Sequence, residues 1–108
     1  MKLPKGYIWK SHADRHNTPP EARAYKPVLI APVKAPRAEL VTENGQVVAV
    51  SSQAQTFNGG GWRYYFSQYG YQLAEKARRI HGKGTVSLRL NGKVVGTLNP
   101  AFRAGSFR

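Results

Sequence analysis

Thr85-Val86-Ser87-Leu88-Arg89-Leu90-Asn91-Gly92-Lys93-Val94-Val95-Gly96-Thr97-Leu98 is two alternating, β-branched segments around an Asn-Gly pair. Asn-Gly supplies two residues tolerant of positive φ, which a two-residue type I′ hairpin turn requires. The reading predicts a hairpin in which Leu90 faces Lys93 and Leu88 faces Val95. Val86 and Leu88 then point to a core and Arg89 points away. Upstream, Leu40 to Glu43, Asn44-Gly45 and Gln46 to Val50 repeat the pattern and predict a second type I′ hairpin.

Between the hairpins, Tyr69, Leu73, Ala77 and Ile80 recur at helical spacing, predicting one helix over roughly 67–81, stopped by Gly82. Gly70 weakens its first turn, so its start falls as late as Tyr71. Trp62 to Phe66 is open between a strand and the helix entry. Asn58-Gly59-Gly60-Gly61 lacks the Gly-Lys-Ser/Thr ending of a phosphate-binding loop and reads as a flexible connection.

Residues 1–37 have a different composition. Six of the seven prolines fall here: Pro4, Pro19, Pro20, Pro27, Pro32 and Pro36. Proline removes an amide donor and forces extended geometry on its predecessor. The expected organisation is therefore an extended, basic, Pro-rich arm (1–37) before a small α+β domain (38–108). That domain is a small antiparallel sheet of two hairpins with one helix packed on it and a basic tail. On this view residues 38–108 fold without the arm.

Charge bounds the function. The 108 residues include 17 Lys and Arg against five acids, a net charge of +12. Such a balance favours polyanionic partners. It is divided equally, +6 in residues 1–37 and +6 in the remainder. No cysteine is present, which excludes disulfides and Cys-based zinc sites. The N-terminus lacks the apolar run of a signal peptide, and no segment approaches the roughly 20 apolar residues needed to span a bilayer. An intracellular location, cytoplasmic or within a nucleoprotein assembly, is the expectation.

The five carboxylates are Asp14, Glu21, Glu39, Glu43 and Glu75. Acid–base pairs and hard-metal sites are built mainly from such groups, so no enzyme activity, catalytic residue, metal or cofactor is expected. Glu75 is expected to pair with Arg78 or Arg79. His12 and His16 have a spacing that suits a metal on a helix, but Pro19-Pro20 ends any helix there and no third ligand is near. His81 sits where an imidazole complements a helix C-terminus.

The aromatic run Trp62, Tyr64, Tyr65, Phe66, Tyr69 and Tyr71, with Arg63 inside it, carries the sharpest functional signal. Rings beside cations suit single-stranded nucleic acid, although the same residues also suit a core or a protein-binding hot spot. Strand alternation would send Tyr64 and Tyr65 to opposite faces. The candidate binding residues for nucleic acid or another partner are Lys76, Arg79, Lys83, Arg63, Arg78, Trp62, Tyr64, Tyr65, Lys26, Lys34 and Arg37. The chain shows no RNA-recognition, KH-loop, zinc-finger or helix-turn-helix pattern. The expected function is non-enzymatic binding of a polyanion, nucleic acid first. The alternative is a structural component of a virion or large complex that contacts neighbouring subunits, or an inhibitor docking on an acidic protein surface. An anionic membrane surface is a weaker third.

Overall fold

The computed structural model describes residues 3–11 and 26–101. Eight strands and one helix follow in chain order: β1 (Ile8–Ser11), β2 (Pro27–Ala31), β3 (Ala38–Val41), β4 (Val47–Val50), β5 (Gln55–Phe57), β6 (Gly61–Tyr65), α1 (Gly70–His81), β7 (Val86–Leu90) and β8 (Lys93–Leu98). The fold is mixed α+β, with two four-stranded antiparallel sheets. Sheet one has the order β1-β2-β6-β5 and sheet two β4-β3-β7-β8.

Two sheets replace the single sheet expected from the two Asn-Gly turns, and two of the four extra strands, β1 and β2, come from the expected arm. Pro27 and Pro32 bracket a proline-free run, Val28 to Ala31, instead of breaking one. Pro27 opens β2, a position where a missing amide is tolerated, and its carbonyl accepts the Phe66 N–H at 3.1 Å. All five β2 residues are buried, and β2 lies between β1 and β6. Trp9, on β1, has 0 % exposure and meets the Phe66 ring at 5.3 Å between centroids. Residues of the N-terminal third thus belong to the same core as the rest. His12, His16, Asp14 and Glu21 lie outside the described residues.

One core joins the inner faces of both sheets and the helix. Sheet one contributes Trp9, Leu29, Ala31 and Tyr64, sheet two contributes Leu40, Val48, Leu88 and Leu98, and α1 contributes Leu73 and Ala77. Their burial is the main favourable term holding the sheets together. Helix α1 starts at Gly70, where Gln72 reaches back to accept the Tyr69 N–H at 3.0 Å. It ends at Gly82, which has φ 83° and donates to the Arg78 carbonyl at 2.7 Å. Leu73 and Ala77 are buried and Ile80 packs at the core edge, while Tyr69 stays exposed outside the helix.

The two Asn-Gly turns differ. Asn91 and Gly92 both take positive φ, 53° and 77°, as the type I′ turn demands, and Leu90 pairs with Lys93. Beyond them a register shift sets Leu88 against Gly96, not Val95. At the other turn only Gly45 has positive φ, 86°. Gly45 N–H donates to Thr42 at 2.9 Å and Thr42 N–H to Gln46 at 2.8 Å, which makes a three-residue loop of 43–45. The Asn44 side chain is engaged by the Thr42 hydroxyl, so Asn44 serves the turn through its amide and not through left-handed geometry.

The glycine run is not a flexible connection either. It closes a third hairpin with the same kind of three-residue loop: Gly60 has φ 93° and donates to the Phe57 carbonyl at 2.9 Å. Phe57 then pairs with Gly61, and β6 emerges as a strand through Trp62 to Tyr65.

Candidate nucleic-acid interface

Strand β6 distributes its side chains by alternation. Tyr64 faces the core with 0 % exposure. Its hydroxyl donates to the Val33 carbonyl at 2.6 Å and accepts the Ala35 N–H at 2.8 Å. Burial pushes this phenol above its ordinary pKa. Tyr64 therefore cannot stack on a ligand, contrary to the expectation for it. Its role is to hold the β2–β3 loop, which carries two other candidate residues, Lys34 and Arg37.

On that loop Lys34 Nζ lies 5.0 Å from the Trp62 ring centroid, and the Lys34 carbonyl accepts the Asn91 side-chain amide at 3.2 Å. Trp62 shares the inward side with Tyr64 and is half-buried at the core margin. Arg37 is exposed and lines an open cleft with Pro36, Glu39, Asn91 and Gly92. Lys34 and Arg37 are thus held on one loop, with Trp62 against Lys34.

Arg63 and Tyr65 point to the opposite face of sheet one, which the strand registers order into rows. Lys10 opposes Val28 and Val28 opposes Tyr65. In the next row Ile8, Ile30, Arg63 and Gln55 follow one another across all four strands. Phe57 shares this face in the third row, paired with Gly61. The Arg63 guanidinium carbon is 5.7 Å from the Phe57 ring and 5.9 Å from the Tyr65 ring. Arg63 also donates to the Thr56 carbonyl at 3.1 Å, which ties its position to the edge strand β5. A groove of about 270 Å³ adjoins this face, lined by Ile8, Ile30 and Phe57 with Gly59, Gly60 and Gly61 at its rim.

The remaining candidate cations lie on α1 and just beyond its end. Lys76 is half-buried, Arg78 and Arg79 are exposed in the last turn, and Lys83 lies beyond the Gly82 cap. Lys83 pairs with Glu43 at 3.2 Å. Arg89 pairs with Glu39 at 2.8 Å, and its hydrogen bond holds the Glu39 carboxyl below the usual glutamate range. These two are the ion pairs among the described residues; the expected pairing of Glu75 with Arg78 or Arg79 is not formed. Near the helix start, Lys26 Nζ is 5.7 Å from the Tyr69 ring, which stacks on Tyr71 at 6.1 Å and 10°.

Sequence reasoning missed Lys10 and Phe57. Lys10 was concealed by proline content that hid the β1–β2 pair. Phe57 was legible in principle, because a glycine three residues after a strand end closes a three-residue hairpin loop. Among the described residues no three His, Asp or Glu side chains gather to hold a metal, and no helix is long and apolar enough to cross a membrane. The chain matches no known family, no curated protein and no solved structure.

Proposed function

We propose that this protein is a non-enzymatic nucleic-acid-binding protein that holds its partner mainly through phosphate contacts. One observation carries the reading. The described residues include twelve Lys and Arg and three carboxylates, and two of those carboxylates are already committed to Arg89 and Lys83. Among the described residues ten cations thus stand outside ion pairs, against one carboxylate, Glu75. Self-repulsion of this kind is relieved by a polyanion, and phosphate contacts supply affinity without sequence readout.

Aromatic rings stand beside several of these cations. Trp62, Tyr65, Phe57 and Tyr69 each have a cation within 6 Å of the ring centroid. Paired rings and cations serve both bases and phosphates. The test is a titration of a fluorescent oligonucleotide at several salt concentrations. If six to ten phosphates are neutralised, affinity falls roughly 10³–10⁵-fold between 50 and 200 mM salt. A flat salt response, or no binding at the lowest salt, overturns the proposal.

A further inference from the structure

We propose that the outer face of sheet one is a stacking platform for single-stranded nucleic acid, a refinement that rests on the nucleic-acid reading above. Tyr65 and Phe57 supply the ring faces, Arg63 the guanidinium between them, and Lys10 a phosphate contact at the flank.

Strand register sets which side chains share the outer face of sheet one. Across four strands its outward positions are Ile8, Lys10, Val28, Ile30, Arg63, Tyr65, Gln55 and Phe57: two cations, two aromatic rings and no carboxylate. Arg63 and Tyr65 are alternate residues of one strand, so their side chains project in parallel at a fixed spacing of roughly 7 Å. Arg63 lies within 6 Å of both ring centroids, which gives a continuous Phe57–Arg63–Tyr65 strip. Rings and guanidinium planes are the surfaces on which unpaired bases stack. A duplex hides those base faces, so the strip selects for single strands.

The rest of the face suits the same occupant. Ile8, 40 % exposed, offers an apolar surface beside Phe57 for the edge or face of a base, with the buried Ile30 beneath it. Its rim is kept low by glycine: a Cβ on Gly59 would come within 2.5 Å of the Phe57 ring, and one on Gly61 within 2.8 Å of the Ala31 carbonyl oxygen. Charge complementarity picks the occupant. An acidic peptide would use the two cations but leave the rings idle, and an apolar partner would bury Arg63 and Lys10 without counter-charges.

The outer face of sheet two provides the internal control. There Arg89 is neutralised by Glu39, and Val50 and Val94 flank the pair. The experiment compares full-length wild type, Tyr65→Ala, Phe57→Ala, Arg63→Lys and Val94→Ala. Each is titrated at low salt with a labelled single strand and with its duplex, after a thermal melt has verified folding. The expected result is tighter binding of the single strand by wild type and by Val94→Ala. Tyr65→Ala and Phe57→Ala each lose roughly five- to 150-fold in single-strand affinity, the range for one stacked base. Arg63→Lys keeps the charge, so it loses affinity with an unchanged salt slope.

Ultraviolet cross-linking of the wild type covers the case in which a ring variant fails to fold; the cross-link is expected on residues 57–65. Equal affinity for single strand and duplex, full affinity in both ring variants, or cross-links confined to the helix overturns the platform while leaving nucleic-acid binding intact. Absence of any oligonucleotide binding by wild type overturns both.

Discussion

In sheet two the outer row Val50, Glu39, Arg89, Val94 closes its own charge, with a 2.8 Å ion pair at the centre and valines at both ends. In sheet one the equivalent row is Ile8, Ile30, Arg63, Gln55, where the central arginine has rings and a backbone carbonyl for neighbours and, among the described residues, no carboxylate. Both rows cross four antiparallel strands whose inner faces meet in the same core. The backbone architecture therefore does not distinguish the faces; side-chain chemistry at alternate positions does. A face that satisfies its own charges has no electrostatic reason to recruit a polyanion, whereas one that leaves them open does.

The largest test of this comparison asks whether sheet one is needed for sheet two to stand. Deleting residues 1–37 removes β1 and β2, and with them the buried Trp9 and Leu29. The truncated chain is expected to lose cooperative thermal unfolding by circular dichroism altogether. A sharp melt in that truncation would mean that sheet two and the helix suffice. Leu29→Ala in the full chain probes the same point more gently, with an expected cost of about 2–5 kcal/mol.

Two adjacent tyrosines sharpen the contrast between the core and outer sides of β6. Tyr64→Phe leaves the Val33 carbonyl and the Ala35 amide without their partner. Denaturant melts should show a loss of about 1–3 kcal/mol. Oligonucleotide affinity, measured on the folded fraction, should shift much less than in Tyr65→Ala. If Tyr64→Phe weakens binding as strongly as Tyr65→Ala, the division of β6 into a structural and a binding side is wrong.

A third comparison sets the two Asn-Gly turns against each other. Asn91→Val places a β-branched residue at φ 53° and should cost about 1–2 kcal/mol. Asn44→Val loses the hydrogen bond to Thr42 but imposes no left-handed strain, so its cost should be about 1 kcal/mol or below. Equal losses in urea melts would mean that the two turns are conformationally alike.

The smallest effect concerns the charge closure of sheet two. Arg89 holds the Glu39 pKa below its unfolded value, so the pair stabilises the fold above that unfolded value, near 4.3, and the benefit disappears as pH falls through the depressed one. Both side chains are about a quarter exposed, so solvent screens the pair and keeps the benefit small. Wild type should therefore melt slightly above Glu39→Gln at neutral pH, and the gap should shrink in acid. A gap that persists at a pH below both values would assign it to packing and not to charge.

The sequence by itself determined the pieces with local physics. Asn91-Gly92 set a type I′ turn because both residues accept positive φ. Apolar spacing in 73–80 and Gly82 set the helix and its end. Alternation would separate Tyr64 from Tyr65 only if 62–66 formed a strand, which the sequence left open. Only the tertiary structure decided the rest. The prolines of the N-terminal third could bound a strand or forbid one, and pairing of Val28 to Ala31 with residues 62–65, more than thirty positions away, chose the first. That pairing turned Tyr64 inward and Arg63 and Tyr65 outward, and it brought Lys10 and Phe57 onto one face with them. Composition and periodicity report preferences within a few residues. Which cations remain unpaired depends on which carboxylates the folded chain brings within reach, here Glu39 to Arg89 and Glu43 to Lys83 across 50 and 40 residues. Coulombic pairing follows distance in space, and that distance exists only once the two sheets have closed on their common core.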